Sequence, residues 1–394
     1  MKFASTTITS GNLAEASRTV LSDIEVTMEG KGADLALLFF SPHFADEGQK
    51  IANELVEGLG LTVLLGCTAA GVIGKQHEIE DEPGLAVLAA HLPDVKLSPF
   101  VLEDVDWDQL VRSKYALIDA VAAPEDTSLF VMFGDPYSTP MVQVLEAFNS
   151  SYPMVPIVGG MASSPPQITP NLIILNDRQI SSGVAGVALS GEIEIEIIVS
   201  QGCRPIGRPF SVTSAHQNLI LGLDNSPPLA QIETLVNELP EEDRRLLQNG
   251  LFVGKAIDSD RTELGRGDYL IRSLMQIDQA SGAIAIGDNV EEGETIQFHL
   301  RDATTAVEDL EMLLSLQSLH GPASGALLFS CNGRGRHLYD HPDGDISVIQ
   351  KSLGDVELAG FFCAGEIGPI GGRNFLHGHT ASLALFRQPG HRAS

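Results

Sequence analysis

The sequence predicts a mixed α/β (α+β) protein of two related αβ domains, each with mixed sheets covered by helices. Three observations predict it: short apolar runs that suit buried strands, helical apolar spacing between them, and one β-α-β-loop-β order that recurs along the chain. At 394 residues there is room for two cores. Hydrophobic content of 43% with 19% charged residues is that of an ordered globular chain.

In the first copy, residues 35–41 read as a buried strand. Ile51, Leu55 and Leu59 follow at i, i+4 and i+8, the spacing of one helix face, and Gly60 ends it. Residues 61–65 form the next strand, which opens into Gly66-Cys67-Thr68-Ala69-Ala70-Gly71-Val72-Ile73-Gly74. An acidic stretch follows, and residues 84–89 complete the unit as a third strand.

A weaker middle copy begins with a strand at residues 129–135. Ser138-Thr139-Pro140 reads as a cap with proline in the first helical turn, and Val142, Leu145 and Phe148 share a face. Residues 155–162 take the place of the loop without a cysteine. Ile193-Glu194-Ile195-Glu196-Ile197 alternates with period two, as a half-exposed antiparallel strand does. Such a strand beside parallel crossovers makes the sheets mixed.

The C-terminal copy keeps the order. Residues 326–330 are a strand, and Ile346, Ile349 and Leu353 mark a short helix with Asp345 as N-cap and Gly354 after it. Residues 356–362 form the next strand, Cys363-Ala364-Gly365-Glu366-Ile367-Gly368 the loop, and residues 380–386 the last strand. Ala70-Gly71-Val72-Ile73-Gly74 aligns with Ala364-Gly365-Glu366-Ile367-Gly368, and Cys67 is read as holding the place of the C-terminal cysteines.

Gly222-Leu223-Asp224-Asn225-Ser226-Pro227-Pro228 is the best linker, giving domains of residues 1–222 and 223–394. The second opens on an amphipathic helix with Leu229, Ile232, Leu235 and Leu239, and Asp302 caps a later helix carrying Val307, Leu310 and Leu314. Arg204 and Arg208 are assigned to a surface loop.

With 24 Lys+Arg against 52 Asp+Glu, the net charge is −28. A field of that sign repels phosphate backbones, so nucleic acid is not an expected partner. No apolar run approaches the roughly 20 residues of a membrane helix, so membrane insertion is not expected either. No signal peptide is read at the N-terminus, and Cys67, Cys203, Cys331 and Cys363 are scattered, so a cytoplasmic protein with free thiols is expected.

Four strings together resemble the FIST family, whose members pair FIST N and FIST C domains. They are Gly66-Cys67-Thr68-Ala69-Ala70-Gly71, Ser330-Cys331-Asn332-Gly333-Arg334-Gly335, Phe361-Phe362-Cys363-Ala364-Gly365-Glu366-Ile367-Gly368-Pro369, and Asn374-Phe375-Leu376-His377-Gly378-His379-Thr380. The likeness spans roughly residues 30 to 385. It implies a sensory, ligand-binding module for small molecules such as amino acids, coupled in the family to signalling outputs. Here the output would pass through a partner protein.

The residues themselves define a candidate ligand site on two C-terminal loops, Cys331, Asn332, Arg334 and Arg336 on one and Cys363, Gly365 and Glu366 on the other, joined by His377 and His379 at i and i+2 on a later strand, with Cys67 and Thr68 at the equivalent N-terminal loop. Arg334 and Arg336 offer forked donors for a carboxylate, and Glu366 replaces the apolar Val72. A zwitterion would place its carboxylate on an arginine and its ammonium on Glu366. Against that stand structural duties: arginine pairing with Asp340, Asp343 or Asp345, and Glu366 capping loop N–H groups. Cys331 or Cys363 with His377 would be the core of a cysteine-dependent enzyme on small acyl or amide substrates, and a regulatory disulfide or oxidation sensor also stays open. His377 and His379 with the thiols prompt a metal reading, but zinc-type ligand spacing is missing, and no metal or cofactor is expected. The expectation is a stand-alone binder of a small polar metabolite, with the enzyme and a protein-interaction scaffold as alternatives and a homo-oligomer left open.

Overall fold

The computed structural model describes residues 1–9, 13–261, 263–317 and 320–388. Its chain forms two compact units. One comprises Met1–Val199, Leu310–Leu376 and the described residues from Thr380 on; the other comprises Ser200–Asp309 and His377–His379.

The first unit holds three six-stranded mixed sheets, each built on one copy of the repeat. In the first, Lys2–Ile8, Leu85–His91, Leu35–Phe40 and Val63–Thr68 lie side by side. Leu35–Phe40 and Val63–Thr68 run parallel because helix Gly48–Leu59 carries the chain back between them, while Leu85–His91 is antiparallel. The second sheet repeats this with Val95–Leu102, Val184–Gly191, Thr127–Gly134 and Ile157–Met161 around helix Met141–Ser151. The third uses Glu194–Gln201, Thr380–Arg387, Gly325–Cys331 and Leu358–Cys363 around helix Gly344–Leu353. The middle copy, weak in sequence, is a full equal of the others.

Each sheet is completed by a hairpin from a different copy. Gly71–Gly74 and Glu78–Glu80 extend the third copy through Leu358–Cys363. Ile173–Leu175 and Arg178–Ile180 extend the first through Val63–Thr68. Glu366–Ile370 and Arg373–His377 extend the second through Ile157–Met161. The exchange is cyclic.

Central strands are buried on both faces, which is why they read as unbroken apolar runs. One face of the first sheet meets its own helices through Leu38, Phe40 and Leu64, and the other faces a core shared by all three copies. At that core Phe39, Phe133 and Phe329 form a triangle with ring centroids 5.5, 5.9 and 6.2 Å apart. Phe361 touches all three at 5.0 to 5.7 Å. Burying each such ring contributes about 1.5–3 kcal/mol, and aromatic pairing adds to that.

The second unit is a closed six-stranded barrel, in the order Cys203–His216, Leu219–Leu223, Ile284–Ile286, Tyr269–Ile277, Leu251–Ala256, Thr295–Arg301. Its core includes Ile220, Val253, Ile284, Phe298 and Leu300. In sequence it is an insertion within the third copy, between Glu194–Gln201 and helix Ala303–Gln317. The compact units therefore cross the 222/223 linker, whose two sides both contribute to the barrel. Arg204 and Arg208 lie on a long barrel strand rather than in a loop; Arg204 pairs with Asp243 and Asp302, and Arg208 with Asp224. Asp302 caps its helix as expected, accepting from the Thr304 N–H and the Thr305 hydroxyl.

Candidate functional site

The three parallel strand pairs end together, and their loops surround a cavity of about 300 Å³. The first copy contributes Ala70, Gly71, Glu80 and Asp81, the second Tyr137 and Ala162–Pro166, the third Asn332, His337, Phe362 and Ala364. One hydroxyl ties these loops together. Ser163 Oγ accepts from the Ala70 N–H at 2.9 Å and donates to the Phe362 carbonyl, joining all three copies.

The cavity is rich in acceptors. Burial pushes the Glu80 carboxyl above its ordinary value, opposed by the Arg336 N–H it accepts at 3.0 Å and by the nearby His337. Asn332 donates its backbone N–H to the Cys363 carbonyl, while its side-chain Oδ1 is buried with no hydrogen-bond partner. Among the described residues, no lysine or arginine side chain lines the cavity.

Arg334 does not reach it. The side chain is fully buried, with Nη2 2.6 Å from Asp345 Oδ1 and Nε 2.9 Å from Oδ2. Nη2 also donates to the Tyr339 hydroxyl, which donates to Asp345 Oδ1, and Ser330 Oγ donates to Oδ2. Burial alone would raise the Asp345 carboxyl, but the Arg334 charge and these hydrogen bonds outweigh it and hold the group below its ordinary value. Two of the three nitrogens of the fork expected to meet a ligand carboxylate are thus paired within the chain, and Nη1 is buried without a hydrogen-bond partner.

Asp345 is free for that pair because it does not cap its helix. Glu78, on the first copy's hairpin, accepts the N–H groups of Gly344, Asp345 and Ile346 at 2.9 to 3.1 Å. A carboxylate at a helix N-terminus satisfies orphan donors and meets the positive end of the dipole. Burial and the Asp345 charge nonetheless raise Glu78 to about 8.

Glu366 is also fully buried. Its Oε2 accepts from the Thr380 N–H at 3.1 Å and the Thr380 hydroxyl at 2.9 Å, and the carboxyl meets the Cys331 thiol. Burial raises it to about 8, against the Thr380 donors and the Arg334 charge. Strand register makes Val72, Ile173 and Glu366 equivalent, since they face Phe361, Cys67 and Gly160 in turn. It follows that Cys67 corresponds to Phe361, and Cys363 to Ala69 and Ala162. The sequence alignment of Ala70 with Ala364 holds, but Cys67 precedes its alanine by three positions and Cys363 by one, so the two cysteines are not equivalent.

Cys331, Arg334, Cys363 and Glu366 therefore gather at one strand end, with Cys67 in the same core. Cys67 and Cys363 are fully buried, and burial drives both thiols well above their ordinary value. Thr68 Oγ1 accepts from the Leu172 N–H at 2.9 Å. Gly365 sits at φ +142°, which suits glycine, and accepts from the Met161 N–H. Arg336 has an exposed side chain. His377 and His379 belong to the barrel unit, where His379 lies 3.2 Å from Ser273 Oγ with its ring 4.4 Å from Phe252. Among the described residues, no three His, Cys, Asp or Glu side chains are grouped to hold a metal ion, and no helix is long and apolar enough to cross a membrane.

Glu80, Asp81 and Ser163 were not singled out from sequence. Glu80 and Asp81 sat in an acidic stretch with no motif, and only the exchanged hairpin carries them to another copy's loops.

Strand pairs ending in small-residue loops around an open cavity define a repeat-built αβ protein with its candidate site at the strand ends. The chain belongs to the FIST family: the FIST N domain matches residues 34–226 and the FIST C domain residues 231–369. Such domains mark sensory and signal-transduction ligand-binding modules. An uncharacterized protein of Mycobacterium bovis is 38% identical over 362 residues, covering 91% of this chain and 92% of that protein. A second uncharacterized relative, from Mycobacterium tuberculosis, is 38% identical over 355 residues, covering 89% and 91%. A crystal structure of cyanuric acid hydrolase from A. caulinodans aligns over 98% of this chain and 99% of that one, but at 10% identity and a TM-score of 0.30 it supports no argument.

Proposed function

We propose that the chain is a ligand-sensing module whose site is the cavity at the three strand ends, and that its ligand is a small polar molecule bearing an ammonium or similar donor. The observation that carries this reading is the acceptor-rich lining: Glu80, Asp81 and the unpartnered Asn332 Oδ1, with His337 but no lysine or arginine side chain among the described lining residues. A charged donor meeting a half-buried carboxylate forms the stronger kind of hydrogen bond. The net charge of −28 draws cations toward the protein as a whole. An amino acid would enter ammonium first, with its carboxylate toward solvent rather than on Arg334. The bound state would be read by a partner protein.

The test is a thermal-shift and calorimetric screen of amines, amino acids and simple carboxylic acids. At a hundred times the dissociation constant a ligand stabilises by about 2.7 kcal/mol. The expected result is a shift with amine-bearing compounds only, weakened at least tenfold in Glu80→Gln. Binding of amine-free carboxylates that Glu80→Gln leaves unchanged would refute it. The cysteine-dependent enzyme survives as a second reading only through Cys331, the half-buried thiol that meets Glu366.

A further inference from the structure

Cys331 and Cys363 are register partners at the ends of two neighbouring parallel strands. Partners in a parallel pair project from the same face, here the face that carries Phe329 and Phe361 two residues earlier. Neighbouring strands are spaced about 4.8 Å, which falls inside the Cα separation of roughly 4.4–6.8 Å that a disulfide spans. Gly160 leaves room there, since a Cβ at that position would overlap the Cys363 sulfur. The two thiols differ in access: Cys331 is half-buried, beside Asn332 of the cavity, and Cys363 is fully buried. The Glu366 carboxyl meets Cys331, and the Arg334 guanidinium lies close enough to feel its charge.

We propose that Cys331 and Cys363 form a redox-active dithiol, in which Cys331 is oxidised by a hydroperoxide and Cys363 resolves it to a disulfide. Where Glu366 is ionised, as pH rises through about 8, Cys331 gives its proton to that carboxylate, and the thiolate attacks the peroxide. A sulfur–oxygen bond forms, the oxygen–oxygen bond breaks, and the leaving oxygen departs as water or an alcohol. The Cys363 sulfur then attacks Cys331, forming the sulfur–sulfur bond and expelling water. Two thiols lose two electrons in all, and the hydroperoxide gains them. The buried partner explains why resolution stays within the pair: nothing from solvent reaches Cys363, whereas the sulfenic acid on Cys331 lies next to it. The bond would clamp the two strands whose ends carry Asn332 and Ala364, and so link the cavity to the oxidation state of its surroundings.

The experiment treats the full chain with stepwise hydrogen peroxide, blocks free thiols, digests without reductant and reads peptides by mass spectrometry. Circular dichroism confirms at each step that the fold is intact. The expected result is a peptide pair joined through Cys331 and Cys363, reversed by dithiothreitol. Cys363→Ala should halt at a sulfenic acid on Cys331 that a dimedone-type probe traps, while Cys331→Ala should remain reduced. Cys67→Ala should leave the bond unaffected. The proposal is overturned if Cys331 stays reduced while the fold is intact, if the link forms only after unfolding, or if Cys363 joins Cys67 instead.

Discussion

Arg334 and Asp345 form a two-point ion pair with no exposure of either side chain, their closest atoms 2.6 Å apart. Breaking such a pair by removing one partner leaves a buried charge uncompensated and costs about 3–5 kcal/mol. Arg334→Ala should therefore lower the denaturation midpoint strongly whatever ligand is present. The double variant Arg334→Met with Asp345→Leu should recover much of the loss, because no lone charge remains. Urea unfolding of the three proteins measures this, and a ligand-specific effect of Arg334→Ala without loss of stability would contradict it.

Glu366 makes stability depend on pH in a defined direction. Its folded-state value of about 8 stands above the ordinary 4.5, so between these values the folded protein holds a proton that the unfolded chain has released. Stability should accordingly fall as pH rises through that window. Glu366→Gln cannot ionise and should flatten the profile, matching the parent near pH 5 and exceeding it by a few kcal/mol near pH 9. Unfolding midpoints taken from pH 5 to 9 give the comparison; parallel profiles would count against the assignment.

Phe361 packs on Phe39, Phe133 and Phe329, one from each copy. Truncation to alanine at so enclosed a site should cost about 3–5 kcal/mol. Because all three copies lose contact at once, the strand sheets should still unfold in a single transition. Calorimetry would show otherwise if one copy melted alone.

Gly159 adopts φ +142°, and a Cβ there would overlap the Met132 carbonyl oxygen of the neighbouring strand. Gly159→Ala combines backbone strain with a clash against main chain that cannot yield. A loss of roughly 1–3 kcal/mol is expected, read as a drop in melting temperature. Gly60→Ala is the useful contrast: it shares a positive φ, of 66°, but has open space around it.

The order of strands and helices was legible because it is written in local periodicity, as at residues 35–41 and in Ile51, Leu55 and Leu59. The exchange of hairpins was not. Gly71–Gly74 looks like the continuation of its own copy, and its partner Leu358–Cys363 lies nearly three hundred residues away. The barrel was hidden for a different reason. Its longest strand, Cys203–His216, contains Pro205, Gly207 and Pro209 and slips register between Ile206 and Phe210, so it lacks an uninterrupted strand pattern. At the site, Asp345 was one of three carboxylates within reach of Arg334. Choosing among them required knowing that Glu78 already serves the helix that carries it.

A ring assembled from three identical chains must repeat every side chain three times around its axis. One polypeptide that closes the same ring on itself is released from that constraint. Position by position it can keep two members oily, as with Val72 and Ile173, and make the third an acid, as with Glu366. A single chain thus lets the scaffold carry an acid at one of three equivalent strand positions and apolar side chains at the other two.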